Sequence, residues 1–88
     1  MSYQSAKEEV TVARRRVYRA IVEAVRSGKL AEPFTQRDFR HACPGFGEGT
    51  YRAFLYKHRL GNPGGASELF KRVERGKFEL LRPIRYGL

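Results

Sequence analysis

Two helix-start signals stand so close together in this chain that little can lie between them except a short helix and a tight turn. The first is Phe34-Thr35-Gln36-Arg37-Asp38-Phe39. Thr35 is suited to cap a helix, and Asp38 completes a short variant of the capping box. Phe34 and Phe39 occupy the two positions of a hydrophobic staple, which sets the angle at which the chain enters the helix. Phe39, Ala42 and Cys43 share one face before Pro44-Gly45 ends the segment after about two turns. The second signal is Gly47-Glu48-Gly49-Thr50-Tyr51-Arg52, and it predicts a helix over about residues 48 to 59. Tyr51, Phe54, Leu55 and His58 fall on one side of that helix at i, i+3, i+4 and i+7. Arg52, Ala53, Tyr56 and Lys57 fall on the other.

Upstream, Ser5-Ala6-Lys7-Glu8 matches a capping box. Val10, Ala13, Val17, Ile21, Ala24 and Val25 then recur as one apolar stripe, with Gly28 as a natural stop, so a first helix is expected over about residues 6 to 27. Downstream, Gly61-Asn62-Pro63-Gly64-Gly65 reads as a loop, and the period changes after it. Residues 70 to 74 and 77 to 81 are short runs joined at Arg75-Gly76, where a glycine at the second turn position suits a tight hairpin. Phe78 and Leu80 alternate with Lys77 and Glu79, as a half-buried strand requires. Pro83 ends the run. One domain over residues 1–82 and a short basic tail over 83–88 account for the chain.

The charge balance narrows the possible partners. Eighteen Lys and Arg stand against 9 Asp and Glu, a formal charge of +9, with basic residues in both halves. Such a surplus favours polyanions, the bland alternative being solubility alone. DNA, RNA and an anionic membrane surface are such polyanions; no apolar run approaches the roughly 20 residues of a membrane span, and no membrane partner is expected. The N-terminus lacks the apolar core of a signal peptide. Cys43 is the only cysteine, which rules out an intramolecular disulfide and a cysteine-rich zinc site. Beside His41 and His58 it lacks the orienting third group of a catalytic dyad, so Cys43 and His58 read as core residues. Gly45-Phe46-Gly47-Glu48-Gly49 lacks the lysine of a phosphate loop. The expectation is a protein that is not an enzyme, with no metal and no cofactor, in a reducing cytoplasmic or nucleoid-associated setting.

Three helices followed by a hairpin, with a tight turn between the second and third, resemble the winged helix-turn-helix DNA-binding superfamily. The residues that carry the likeness are Phe34-Thr35-x-x-Asp38-Phe39, then Thr50-Tyr51-Arg52-x-Phe54-Leu55, then residues 70 to 80. The resemblance implies an α+β, mainly α fold: three helices and a C-terminal β-hairpin wing. It further implies that residues 48 to 59 form a recognition helix for the major groove and that the hairpin, about residues 70 to 81, rests on the flanking backbone. Glu32-Pro33-Phe34 is the candidate for the short strand that many members pair with the wing. Double-stranded DNA is the partner so implied, for a small transcriptional regulator or a DNA-targeting module.

The candidate contact residues follow from this placement. On the third helix, Arg52 can give guanine O6 and N7 two parallel hydrogen bonds, Tyr56 suits a phosphate or a sugar, Thr50 suits a phosphate near the helix start, and Lys57 shares their face. On the hairpin, Lys71, Arg72, Arg75 and Lys77 crowd together and repel unless an anion sits among them, or unless Glu74 and Glu79 pair with them. Arg37 and Arg40 on the second helix are placed to touch the backbone. Arg14-Arg15-Arg16, Arg19 and Arg26 read first as a solvated face paired with Glu8 and Glu23, and second as a backbone contact or partner surface. Arg82 at the end of the domain and Arg85 in the tail are either a groove-reaching arm or frayed chain. An RNA-binding winged helix and a protein-interaction adaptor using residues 84 to 88 remain the alternatives.

Overall fold

The structure is a computed structural model that describes residues 2–64 and 67–84, with side chains from residue 14 onward. Its order is α1 (Ser2–Arg26), α2 (Gln36–Ala42), α3 (Glu48–Lys57), β1 (Phe70–Glu74) and β2 (Lys77–Leu80). This mainly helical α+β arrangement, three helices followed by an antiparallel hairpin, is compatible with a winged-helix layout.

Helix α1 starts earlier than the capping signal suggests. Ser5 lies inside the helix rather than at its cap, because the helical backbone already begins at Ser2. The end is as expected: α1 stops at Arg26, and Gly28 takes the positive φ of 83°. The buried face is wider than the stripe read from the sequence. Tyr18 and Val22 join Val17, Ile21 and Ala24 in the core, while Val25 is only partly buried. A three-element fold wraps more than one line of a helix, so positions beside the stripe are covered as well.

Helix α2 carries the full capping box. The Asp38 N–H donates to Thr35 Oγ1 at 3.1 Å, and the Thr35 N–H donates to Asp38 Oδ2 at 3.0 Å. Both staple residues, Phe34 and Phe39, are completely buried. Tyr51 then fixes the α2–α3 turn: its hydroxyl donates to the Cys43 carbonyl at 2.6 Å and accepts from the Phe46 N–H at 3.1 Å. Helix α3 ends at Lys57, two residues short of the expected limit, and the Lys57 carbonyl accepts from Asn62 Nδ2 at 2.7 Å.

The hairpin is tied at both edges. On the β2 edge, Phe34 and Phe78 exchange two backbone hydrogen bonds, each 2.8 Å long. The segment expected at Glu32-Pro33-Phe34 thus pairs with the hairpin, through the single residue Phe34. On the β1 edge, Phe70 accepts from the Leu60 N–H and donates to the His58 carbonyl, which anchors the strand to the end of α3. The turn at Arg75-Gly76 places positive φ at Gly76 alone, 74°, and a register shift falls between Arg72 and Glu74. A bulge at Val73 therefore supplies the local twist that a turn with left-handed backbone at both positions would provide. Phe70 is the hub of the core, edge-on to Tyr18, Phe34 and Phe54 at centroid distances of 6.4, 6.2 and 5.8 Å.

Glu32 closes the domain. Its Oε2 accepts from the Leu80 N–H at 2.7 Å, and its Oε1 accepts from Arg82 Nη2 at 2.6 Å. Arg82 is therefore neither a free arm nor frayed chain, because it clasps the α1–α2 connection to the end of β2. Ile84 packs partly buried against the core. The rest of the predicted basic tail, including Arg85, lies outside the described residues.

Candidate nucleic-acid interface

Helix α3 divides as its periodicity requires. Tyr51, Phe54, Leu55 and His58 are buried, whereas Arg52, Ala53, Tyr56 and Lys57 are exposed and Thr50 is half-buried. At about 100° per residue, Gly49 and Ala53 occupy the middle of the exposed face. Arg52 and Tyr56 line one flank, and Thr50 and Lys57 the other. The centre of the face is thus small at Gly49 and Ala53, and the Tyr56 hydroxyl, Arg52, Thr50 and Lys57 supply its polar groups.

The Arg52–Tyr56 flank is the one that meets the hairpin. Tyr56 stands edge-on to Phe78 at 5.0 Å between ring centroids and interplanar angle 88°. It also lies beside the start of α2, because Gln36 Nε2 donates to the Arg52 carbonyl at 2.6 Å. Gln36 carries no signal in the sequence that marks this role, since its partner is 16 positions away.

The register of the hairpin sorts its basic residues onto two faces. Arg72 stands opposite Phe78 and Phe70 opposite Leu80, so Arg72 shares the sheet face that turns toward Tyr56. Lys71 stands opposite Glu79, and Lys77 opposite Glu74, on the other face. The Lys77–Glu74 pair is 3.5 Å apart. Lys77 is therefore ion-paired and Lys71 faces a carboxylate by register alone, so the like-charge crowding expected from sequence is relieved in part without an anion. Arg72, on the α3 side, and Arg75, at the exposed tip, make no ion pair among the described residues.

On α2 the two candidates separate. Arg37 is exposed and makes no ion pair among the described residues. Arg40 forms a two-pronged ion pair with Glu48 across the turn, and its guanidinium lies 4.9 Å from the Tyr51 ring centroid. The Arg40 hydrogen bonds hold the Glu48 carboxyl below its ordinary range and raise the guanidinium's own value. Arg40 thus braces the α2–α3 turn. Among the described residues, the candidate cations without an ion pair are Arg37 on α2, Arg52 and Lys57 on α3, and Lys71, Arg72 and Arg75 on the hairpin; Arg52 shares its flank with Tyr56, and Arg72 stands opposite Phe78.

His58 and Cys43 behave as core residues, and His41 is exposed. His58 is 4% exposed, with Nδ1 at 2.9 Å from the Ser67 carbonyl, a geometry that a neutral ring donating from Nδ1 satisfies. Burial pushes its pKa down. Burial likewise pushes the Cys43 thiol up, away from the reactive thiolate. Among the described residues, no group of three or more His, Cys, Asp or Glu is placed to hold a metal ion, and no helix is long and apolar enough to cross a membrane. Compared with known proteins, the chain matches no family model, no curated sequence and no solved structure.

Proposed function

We propose that this domain binds double-stranded DNA as a winged helix, with α3 in the major groove and the hairpin on the adjoining backbone. The observation that carries the reading is the edge-on packing of Tyr56 on Phe78. It joins the Arg52–Tyr56 flank of α3 to the hairpin residue that stands opposite Arg72, and in this proposal Arg52, Arg72 and the Arg75 tip act on one duplex. A helix flanked by a cationic hairpin suits a duplex, whose groove takes the helix while its phosphates meet the hairpin. Arg52 is the base-reading residue in this proposal; Arg37, Arg72 and Arg75 are phosphate contacts, and Lys57 approaches the opposite strand. Lys77, paired with Glu74, and Lys71, opposite Glu79 in the register, contribute long-range attraction rather than direct contacts in this reading, and Arg40 positions α3. No catalytic step is assigned to the domain, in keeping with a regulator or DNA-targeting module.

The test is an isotope-labelled titration with a random-sequence duplex at low salt. The expected result is chemical-shift change concentrated in Arg52, Tyr56, Arg72, Arg75 and Gly76, reversed by added salt as counterions compete. A structured RNA that displaces the duplex at equal salt moves the assignment to RNA. An absence of change in α3 and the hairpin removes the nucleic-acid reading altogether.

A further inference from the structure

A second cationic site lies away from α3 and the hairpin. Arg15, Arg16 and Arg19 stand along α1 at the lip of a groove whose floor is Ala20 from α1 together with Pro44, Gly45 and Phe46 from the α2–α3 turn. No residue of α3 or of the hairpin lines it. Glu23 is the single carboxylate there. All three arginines are exposed, and none makes an ion pair among the described residues. The i,i+4 pairing expected between Arg19 and Glu23 is not formed, which fits the weaker order of the two charges along a helix. Arg15 and Arg19, themselves at i,i+4, repel each other; the Glu8 side chain, the other expected partner, lies outside the described residues.

We propose that this groove docks an acidic peptide segment of a partner protein, anchored by an apolar or aromatic side chain. The charge calls for an anion, and the apolar floor favours a peptide over nucleic acid as its source. Three guanidinium groups against one carboxylate call for several negative charges, and arginine's planar fork takes carboxylates in two parallel hydrogen bonds. The floor is apolar, with the half-buried Phe46 ring held edge-on to Tyr51 at 6.2 Å. A duplex would meet such a groove with phosphates and sugars and leave that floor unfilled, whereas a peptide with one apolar residue among acidic ones fills both parts. The proposal does not depend on the duplex-binding reading, because the two surfaces share no residue.

The probe is a fluorescein-labelled peptide of alternating Asp and Glu with one central Phe, beside a counterpart carrying Ser in place of that Phe. The Phe peptide is expected to shift the Arg15, Arg16 and Arg19 side-chain signals and the Gly45 and Phe46 amides, and to bind at least fivefold more tightly than the Ser peptide. Replacing Arg15, Arg16 and Arg19 together by Ser should weaken binding tenfold or more. Glu23→Gln, which removes the opposing charge, should strengthen it about twofold, a gain that misfolding cannot produce. Arg75→Ala should leave peptide affinity unchanged. Equal binding of the two peptides, peptide shifts confined to α3 and the hairpin, or groove shifts produced by duplex DNA instead would each overturn the proposal.

Discussion

Tyr56 lies edge-on against Phe78 with 5.0 Å between ring centroids, although one ring is 39% exposed and the other wholly buried. The contact makes a surface residue of α3 part of the hairpin's support. Tyr56→Ala is expected to cost about 1 kcal/mol of stability, the scale of an aromatic pair, seen as a lower urea midpoint. It should also weaken duplex binding by loosening the packing of the Phe78 face on α3, while the backbone bonds of Phe70 to Leu60 and His58 keep the strand attached. Tyr56→Phe keeps the packing, so any loss of affinity in that variant measures the hydroxyl's own contact with the nucleic acid.

Arg52 and Arg75 carry different expectations. Arg52→Ala should weaken binding to a preferred duplex more than to random sequence, because a bidentate base contact discriminates by about 1–3 kcal/mol. Arg75→Ala should weaken both alike and lower the slope of log affinity against log salt by about one. Fluorescence anisotropy across a salt series reads both quantities. Equal losses for the two variants on every sequence would take base reading away from Arg52.

Glu32 satisfies the Leu80 N–H and the Arg82 guanidinium at once. Removing its acceptor oxygens in Glu32→Ala leaves the Leu80 N–H without its partner and should cost about 1–2 kcal/mol. Glu32→Gln, which retains an oxygen, should cost less, since the exposed Arg82 partner adds little through charge alone. Hydrogen bonding to Arg82 holds the carboxyl below its ordinary 4.5. That increment of stability is complete above 4.5 and is lost as pH falls through the lowered folded value. Urea midpoints below pH 5 should therefore fall more steeply for the wild type than for Glu32→Gln.

His58 gives a separate window. Its pKa is lowered first by burial, opposed by the hydrogen bond to the Ser67 carbonyl and assisted by the nearby charges of Lys57 and Arg14. The unfolded chain then binds the proton more readily than the fold does. Stability is complete above the ordinary 6.5, declines as pH drops below it, and levels off once the folded value is passed. Thermal midpoints at pH 7.5 and pH 5 should differ in the wild type, and the part of the difference near pH 6 should vanish in His58→Gln.

Thr35→Ala tests the local signal on which the reading of α2 rests. It removes the oxygen that accepts from Asp38 N–H and should cost about 1 kcal/mol, as loss of an N-cap does. No change in the urea midpoint would mean that tertiary packing alone holds α2.

Local spacing was enough to place the short helix after Thr35, the buried and exposed sides of α3, and the paired runs around Gly76. These features depend on residues within a few positions of one another, where backbone geometry converts spacing into direction. The solvent-facing positions of Arg52, Tyr56 and Lys57 were legible for the same reason. The fate of individual charges was not. Arg40 and Glu48 are 8 positions apart across a turn, and Glu32 and Arg82 are 50 apart. The division of the hairpin's cations between a balanced face and a bare one depends on strand register and on the bulge at Val73. Nor does one helix's period reveal that Tyr18 and Val22 are covered, since that follows from which neighbours pack on α1. The sequence by itself determined the elements and their inward faces, because those follow from short-range periodicity. Only the tertiary structure decided which cations are neutralised and which stand free beside Tyr56, because ion pairing depends on distances that docking between elements creates.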